Sequence, residues 1–282
     1  MNGIASTAVA TAASADYFPN VVMPMLRRMG YVETAKFGSF EDLIEFSKTC
    51  KIDTINGEVD FNPRPYQIEY LKGLYESDKM FVCAKCRQCG VTTMNLVYAK
   101  WVLSRFQNKH IHFITSTIHM ALESQNRFDA MRQVHSLNGS TIRFLSVSKL
   151  GEEIDALTKI CNDNNPDYQN MKPLERFLLK YDCIARQFNS DDIFIFDEYA
   201  FFNTDYNTDI ECAIRRSGAK MIYTSTPNGD KYNWWSQMFD VYTKDFDGMK
   251  ISWEDVPEWD DEWKNRQFSI LGIDRFNREF EV

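Results

Sequence analysis

Hydrophobic and polar positions along the chain fall into two periods, one helical and one strand-like. Phe40, Leu43, Ile44 and Phe46 recur at helical spacing inside a mostly helical stretch from Tyr17 to about Lys51. Ile52–Phe61 contains Asn56-Gly57 and predicts a short hairpin. Pro63 and Pro65 bar a helix before them, and the pattern then predicts one from about Tyr66 to Glu76. Met80–Ala84 is an unbroken apolar run, the mark of a buried strand, and Thr92–Phe106 reads as an amphipathic helix. Ile111–Ser116 predicts a strand, with a helix after it through about Val134. Ser140–Val147 alternates like a strand. Residues 151–182 are helical in pattern, broken near Asn164-Asn165-Pro166. Ile193–Phe196 and Lys220–Tyr223 are two further apolar strands.

Strands alternating with helices define an α/β domain built on a mostly parallel sheet flanked by helices. Residues 1–16 are small and polar and are expected to be mobile. No internal repeat interrupts the alternation.

Composition narrows the class. With 282 residues, 44% hydrophobic and 26% charged, the chain reads as soluble and globular, with room for one large domain or two small ones. A net charge of −8 argues against coating nucleic acid by bulk charge, though not against a local basic patch. No run of about 18 apolar residues is present, so no membrane span is expected. The first residues lack the basic and apolar regions of a secretory signal. Seven cysteines without such a signal suggest free thiols in a reducing, intracellular setting.

Candidate chemistry lies at the carboxyl ends of three strands, where nucleotide-binding α/β sheets hold their ligands. The first end is the loop Lys85-Cys86-Arg87-Gln88-Cys89-Gly90-Val91-Thr92-Thr93, between a strand and a helix. That is the setting of a phosphate-binding loop, but the letters depart from G-x-x-x-x-G-K-[ST]. Gly90 stands at the second glycine and Thr92 at the hydroxyl, which can serve Mg²⁺. Val91 stands where the lysine belongs, and Lys85 where the first glycine belongs. Lys85 reaching back over the loop would supply the missing charge, and Arg87 a bidentate contact to the γ-phosphate. Two other readings compete. Cys83, Cys86 and Cys89 form a C-x-x-C-x-x-C run that suits zinc or an iron–sulfur cluster; alternatively, the stretch is a strand–turn–helix with no ligand.

The second end is Ile193-Phe194-Ile195-Phe196-Asp197-Glu198, four apolar residues followed by two acids, the Walker B pattern. Asp197 would hold Mg²⁺ and Glu198 would orient or deprotonate the attacking water. The third end, Thr224-Ser225-Thr226-Pro227-Asn228-Gly229, carries small hydroxyls able to sense a γ-phosphate, or forms a plain turn. Upstream, the Gln67 amide matches the polar edge of adenine, with Tyr66 placed to stack on it; otherwise the stretch is a proline-punctuated helix start. The aromatic and acidic tail holds Trp234, Trp235, Trp253, Trp259 and Trp263. They lie among Asp245, Asp247, Glu254, Asp255, Glu258, Asp260 and Asp261. That run suits either a metal cluster or, more commonly, a solvated face.

In order and spacing, Arg64-Pro65-Tyr66-Gln67, the loop Lys85–Thr93, Asp197-Glu198-Tyr199-Ala200-Phe201, Thr224–Gly229 and the final Phe276-Asn277-Arg278-Glu279-Phe280 form a set. The set resembles the ATPase half of the large terminase subunit of tailed bacteriophages, in its deviant Walker A form. The resemblance runs from about residue 40 to the end.

It implies a P-loop NTPase of the ASCE type with a small lid. Residues 1–61 would form the tail and part of the lid, 62–235 the ATPase core, and 236–282 the rest of the lid with a linker. It implies ATP and Mg²⁺ as cofactors and a motor that drives double-stranded DNA through a portal protein into a procapsid. A small terminase subunit would be a partner. The motor would work as a homo-oligomeric ring in the host cell cytoplasm, with no membrane. On that pattern Gln67 reads adenine, Asp197 serves Mg²⁺, Glu198 activates water, and Thr224, Ser225 and Thr226 couple hydrolysis to movement. Arg87 would act on the γ-phosphate, and Arg186 would reach the neighbouring subunit's ATP. The family's nuclease domain follows the motor, and no nuclease acids are assigned in this chain. Other nucleic-acid translocases or helicases, and a non-catalytic metal-binding module built on the cysteines, are the alternative readings.

Overall fold

The structure is a computed structural model. It describes residues 38–54, 57–131, 139–202, 211, 214–227, 235, 239–241, 243 and 247–282. The expected mobile start at 1–16, most of the Tyr17–Lys51 helical stretch, Trp234, Asp245 and the turn residues Asn228 and Gly229 lie outside the described residues.

Helix α1 (Phe40–Ser47) starts at Ser39, whose side chain accepts from the Asp42 N–H. It buries Leu43 and Phe46, two residues of the expected stripe. Strands β1 (Lys51–Thr54) and β2 (Gly57–Asp60) pair antiparallel as the expected hairpin. Helix α2 (Pro65–Glu76) takes proline at its first turn, where no backbone donor is needed. There follow β3 (Met80–Lys85), α3 (Val91–Arg105), β4 (His110–Thr115), α4 (Ile118–Ala130), β5 (Thr141–Ser146) and α5 (Val147–Asp163). Then come α6 (Pro173–Ala185), β6 (Asp192–Asp197), β7 (Lys220–Ser225), β8 (Asp247–Ile251), α7 (Asp261–Leu271) and α8 (Ile273–Phe280).

Strands β3 to β8 form one six-stranded sheet in the order β5-β4-β6-β7-β3-β8, and every pairing in it is parallel. The α/β architecture read from the alternation is therefore the architecture found. Successive side chains of each strand enter opposite layers. Phe81, Cys83, Phe113, Ile193, Ile195 and Ile222 face one cluster, which α1, α2 and α3 complete. Met80, Val82, Ala84, Ile114, Phe194, Phe196, Met221 and Tyr223 face the other. Each Val, Ile, Phe or Met among them contributes about 1.5–3 kcal/mol by leaving water, before entropy is counted.

Two elements differ from the pattern. Helix α3 is not amphipathic: Val91 and every residue from Thr93 to Leu103 are buried. It lies beneath the sheet and is enclosed by outer helices, so its polar side chains are satisfied inside. The Tyr70 hydroxyl donates to Asn95 Oδ1 at 2.6 Å, and the Lys100 ammonium sits 4.4 Å above the Phe128 ring. Strand β8 has no apolar run to announce it, because it is an edge strand whose first four residues are exposed or half-buried. It lies within 236–282, so the main sheet takes one strand from the stretch assigned to lid and linker.

The acids near the chain end have local structural tasks. Asp260 caps α7 by accepting from the Trp263 N–H at 2.8 Å. Asp255 closes a capping box with Ser252, and Glu258 pairs with Arg64 at 2.6 Å. Among the described residues no three His, Cys, Asp or Glu side chains gather as a metal site. Among those residues, too, no helix is long and apolar enough to cross a membrane.

Lys220 at the head of β7 makes a pH prediction. Its ammonium donates to the Leu74 and Ser77 carbonyls at the end of α2, at 2.5 and 2.6 Å. Burial pushes its pKa down from 10.5 to about 8, against the opposing pull of Asp78 and Asp247. Between those two values the unfolded chain holds a proton that the folded chain lacks, so this group makes stability rise with pH across the window. Unfolding midpoints at about pH 7 and about pH 9.5 should show this rise, and Lys220→Met should lose it relative to the unsubstituted chain. An identical pH profile in both proteins would refute the assignment.

Candidate active site

The loop after β3 is shaped by Gly90. Gly90 caps α3 with φ +84, and a Cβ there would lie 3.0 Å from Gln67 Nε2. Both the left-handed backbone and the close approach require glycine. The first intrahelical bond of α3 runs from the Met94 N–H to the Gly90 carbonyl at 3.1 Å. The N–H groups of Val91, Thr92 and Thr93 therefore stand at the positive end of the helix. Gln88 also takes a positive φ of 63. The Cys86 and Arg87 N–H groups are spent elsewhere, on the carbonyls of Ile251 at 2.7 Å and Glu279 at 2.8 Å.

Register brings the three strand ends level. Cys83 pairs with Thr224 across β3 and β7, and Asp197 pairs with Thr224 across β6 and β7. Two residues beyond Cys83 and Thr224 stand Lys85 and Thr226, and one beyond Asp197 stands Glu198. The Lys85 ammonium, 6% exposed, forms an ion pair with Glu198 Oε1 and donates to Thr226 Oγ1 at 2.9 Å. The Thr226 N–H donates to Glu198 Oε2 at 3.1 Å. Thr92 Oγ1 donates to Asp197 Oδ2 at 2.7 Å, and Thr224 Oγ1 donates to Asp197 Oδ1 at 2.8 Å. Ser225 Oγ accepts from the Ala200 N–H at 2.9 Å, which fixes the turn that follows Glu198. In that turn Glu198 itself holds the left-handed conformation, φ 58 and ψ 46. For a non-glycine residue this costs of order 1–3 kcal/mol, and such strain gathers at functional sites.

Electrostatics sort the two acids. Burial pushes the Asp197 carboxyl up, and the Glu198 charge beside it pushes the same way, against Lys85 and the threonine hydrogen bonds. Burial would also raise Glu198, but the Lys85 charge and the hydrogen bonds from Lys85 and Thr226 outweigh it and hold the carboxyl below its ordinary value. Burial alone would lower Lys85, and the charges of Glu198 and Asp197 reverse this. The result is an ionised glutamate and a charged lysine held together at the tip of the sheet.

Lys85, Thr92, Asp197, Glu198, Thr224 and Thr226 thus meet in one cluster, with Ser225 bracing it. Val91 is buried in the first turn of α3. Gln67 and Tyr66 lie elsewhere: both are buried against the loop. Gln67 Oε1 accepts from the Arg64 N–H at 3.0 Å, and its Nε2 donates to the Cys89 carbonyl at 3.2 Å. The Tyr66 hydroxyl donates to the same carbonyl at 2.8 Å. Their polar atoms hold the loop, and the amide expected to read adenine is already bonded within the protein. Thr93 accepts from Arg127 at 2.6 Å and faces away from the cluster toward α4. Cys83 is fully buried in β3, and the Cys89 thiol donates to the Cys86 carbonyl at 3.1 Å. Arg87 is half-exposed and paired with Glu279 at 3.4 Å. Arg186 is exposed in the turn before β6, at the end of that strand opposite Asp197.

The pattern missed Asn95. Its Nδ2 donates to Thr224 Oγ1 at 3.3 Å, joining Tyr70 to Asp197 through Thr224. The available signal was a lone amide, three residues after Thr92, on a helix otherwise rich in apolar positions.

A parallel sheet with a glycine-capped loop at one strand end and an acid pair at another is an α/β core consistent with the layout of a P-loop NTPase. No family model matches the chain, and no curated protein matches it. Solved structures do. The large terminase of bacteriophage HK97 superposes with a TM-score of 0.56 at 14% identity, covering 86% of this chain and 54% of that one. The large terminase of a thermophilic bacteriophage gives 0.50 at 11% identity, covering 77% and 52%. The Thermus phage P74-26 large terminase ATPase domain gives 0.48 at 16% identity, covering 78% and 93%. For the first two, at these identities, the likeness is one of fold, and this chain spans about half the length of each.

Proposed function

We propose that this chain is an ATP-hydrolysing motor domain of the terminase type, working on double-stranded DNA at a viral portal. The observation that carries the reading is the meeting of Lys85, Asp197, Glu198 and Thr92 at the carboxyl end of the sheet, beside the open end of α3. Lys85 takes the charge-neutralising role that Val91 cannot. Glu198, ionised and pinned by Thr226, is the base that orients water. Asp197 and Thr92 are hard oxygen donors 2.7 Å apart, a set that fits Mg²⁺. When bound, Mg²⁺ neutralises charge on the phosphates. Thr224, Ser225 and Thr226 touch both acids and the turn after them, so they are placed to pass the state of the site into β7. Tyr66 and Gln67 serve the loop: they hold the Cys89 carbonyl and thereby set its shape. Terminase-like architecture supports the packaging role, with portal protein, small subunit and a ring of identical chains as partners. The residues before the core and those after β8 form the lid of that motor.

Mg²⁺-dependent release of phosphate from ATP tests the reading, and one variant tests its ring form. Arg186 is exposed and far from its own site, as a residue serving a neighbour would be. In assembled rings Arg186→Ala should lower turnover by up to about 10³-fold. Dilute monomer should be unaffected. Equal loss in both states would place Arg186 in the fold instead, and no Mg²⁺-dependent hydrolysis in either state would refute the ATPase reading.

A further inference from the structure

Helix α8 rests on the candidate phosphate loop. Its Glu279 carbonyl accepts from the Arg87 N–H at 2.8 Å. Its Glu279 carboxylate lies 3.4 Å from Arg87 Nε and accepts from Arg275 at 3.0 Å. The carboxylate is largely buried, with 12% exposure, whereas Arg87 is 50% exposed. The helix cannot drift freely, because Phe276 and Phe280 are buried against a stack of tryptophans. Trp263 lies 5.2 Å from the Phe280 ring and 4.2 Å from Trp259.

Arg87 is the cation of the loop that lies outside the Lys85 cluster, and it is turned to a carboxylate on another element. A polyphosphate at this loop would meet two obstacles: the loop's arginine already engaged, and a fixed negative charge beside it. We infer that Glu279 is a positioning residue that holds Arg87 in competition with nucleotide phosphates. It thereby sets nucleotide affinity and ties α8 to the state of the loop. Phosphate oxygens that draw the guanidinium toward the loop loosen its 3.4 Å contact with Glu279, because two anions then share one positive charge. The inference rests on the nucleotide reading above.

The test is ATP binding measured by calorimetry with Mg²⁺, on the full chain. Glu279→Gln keeps the carbonyl contact and the side-chain size but removes the charge. It should tighten ATP about two- to fivefold, the size expected when a partly exposed ion pair stops competing. Adenosine, which lacks phosphates, should bind the two proteins alike. In an Arg87→Gln background the gain should vanish, a result that mere repacking of α8 would not produce. Amide hydrogen exchange offers a second readout: ATP should speed exchange across residues 273–282 in the unsubstituted chain. Unchanged affinity in Glu279→Gln, or the same gain without Arg87, would overturn the inference. So would exchange in α8 that ignores ATP. Failure of every variant to bind ATP would overturn the nucleotide reading instead, and this inference with it.

Discussion

Glu198→Gln should abolish ATP turnover, by about 10²–10⁴-fold, while ATP still binds. The amide keeps the volume of the carboxylate and can still accept from the Thr226 N–H, which Glu198 Oε2 meets at 3.1 Å. It cannot take a proton from water. It also no longer holds Lys85 by charge, which frees the ammonium for phosphate oxygens. Binding should therefore be retained or tightened as turnover falls. The backbone at 198 stays in its left-handed turn, because the Ala200 N–H remains on Ser225 Oγ. Rates of phosphate release and ATP affinity, measured side by side, decide the point. Turnover close to that of the unsubstituted chain would remove Glu198 from the base role.

Lys85→Ala should weaken ATP binding about 10- to 100-fold, the worth of a hydrogen bond to a charged group, with a parallel fall in rate. Val91→Ala should leave both nearly unchanged. The two changes also differ in their cost to stability. Removing Lys85 leaves Asp197 and Glu198 side by side without a counter-charge. Breaking one partner of a buried pair costs about 3–5 kcal/mol, less for a pair as exposed as Glu198's 20% allows. Val91→Ala opens a small cavity at the start of α3, where the side chain is 1% exposed, and costs about 1–3 kcal/mol without touching the cluster. Affinity must therefore be read on protein shown to be folded by circular dichroism. Equal effects of the two substitutions on ATP affinity would refute the relocation of the lysine.

Most of the fold was legible because its parallel strands are buried on both faces, and such strands read as unbroken apolar runs. Met80–Ala84, Ile193–Phe196 and Lys220–Tyr223 are all of this kind. What could not be read lacks that signature. Strand β8 sits at the sheet edge, where exposure removes the need for apolar residues. Helix α3 carries Asn95 and Lys100, which look like a solvent face until Tyr70 and Phe128 are seen to meet them.

The candidate site divides the same way. The meeting of Lys85, Asp197, Glu198 and Thr226 was readable from their place at strand ends, which register brings level, and Thr92 joins them through the loop that opens α3. The bonds that Tyr66 and Gln67 make to the loop were not readable, because side-chain chemistry says what an amide can bond and not which carbonyl lies beside it. Here that carbonyl is Cys89's. The pairing of Arg87 with Glu279 joins residues nearly 200 positions apart, on elements whose contact no local pattern encodes.

On the proposed function, Lys85 does the work of the missing loop lysine. A crystal structure with Mg²⁺ and a non-hydrolysable ATP analogue tests it most directly. Lys85 Nζ is expected within hydrogen-bonding distance of a β- or γ-phosphate oxygen, with Thr92 and Asp197 around the metal. Triphosphate bound at the loop while Lys85 stays on Glu198 and Thr226 would contradict it.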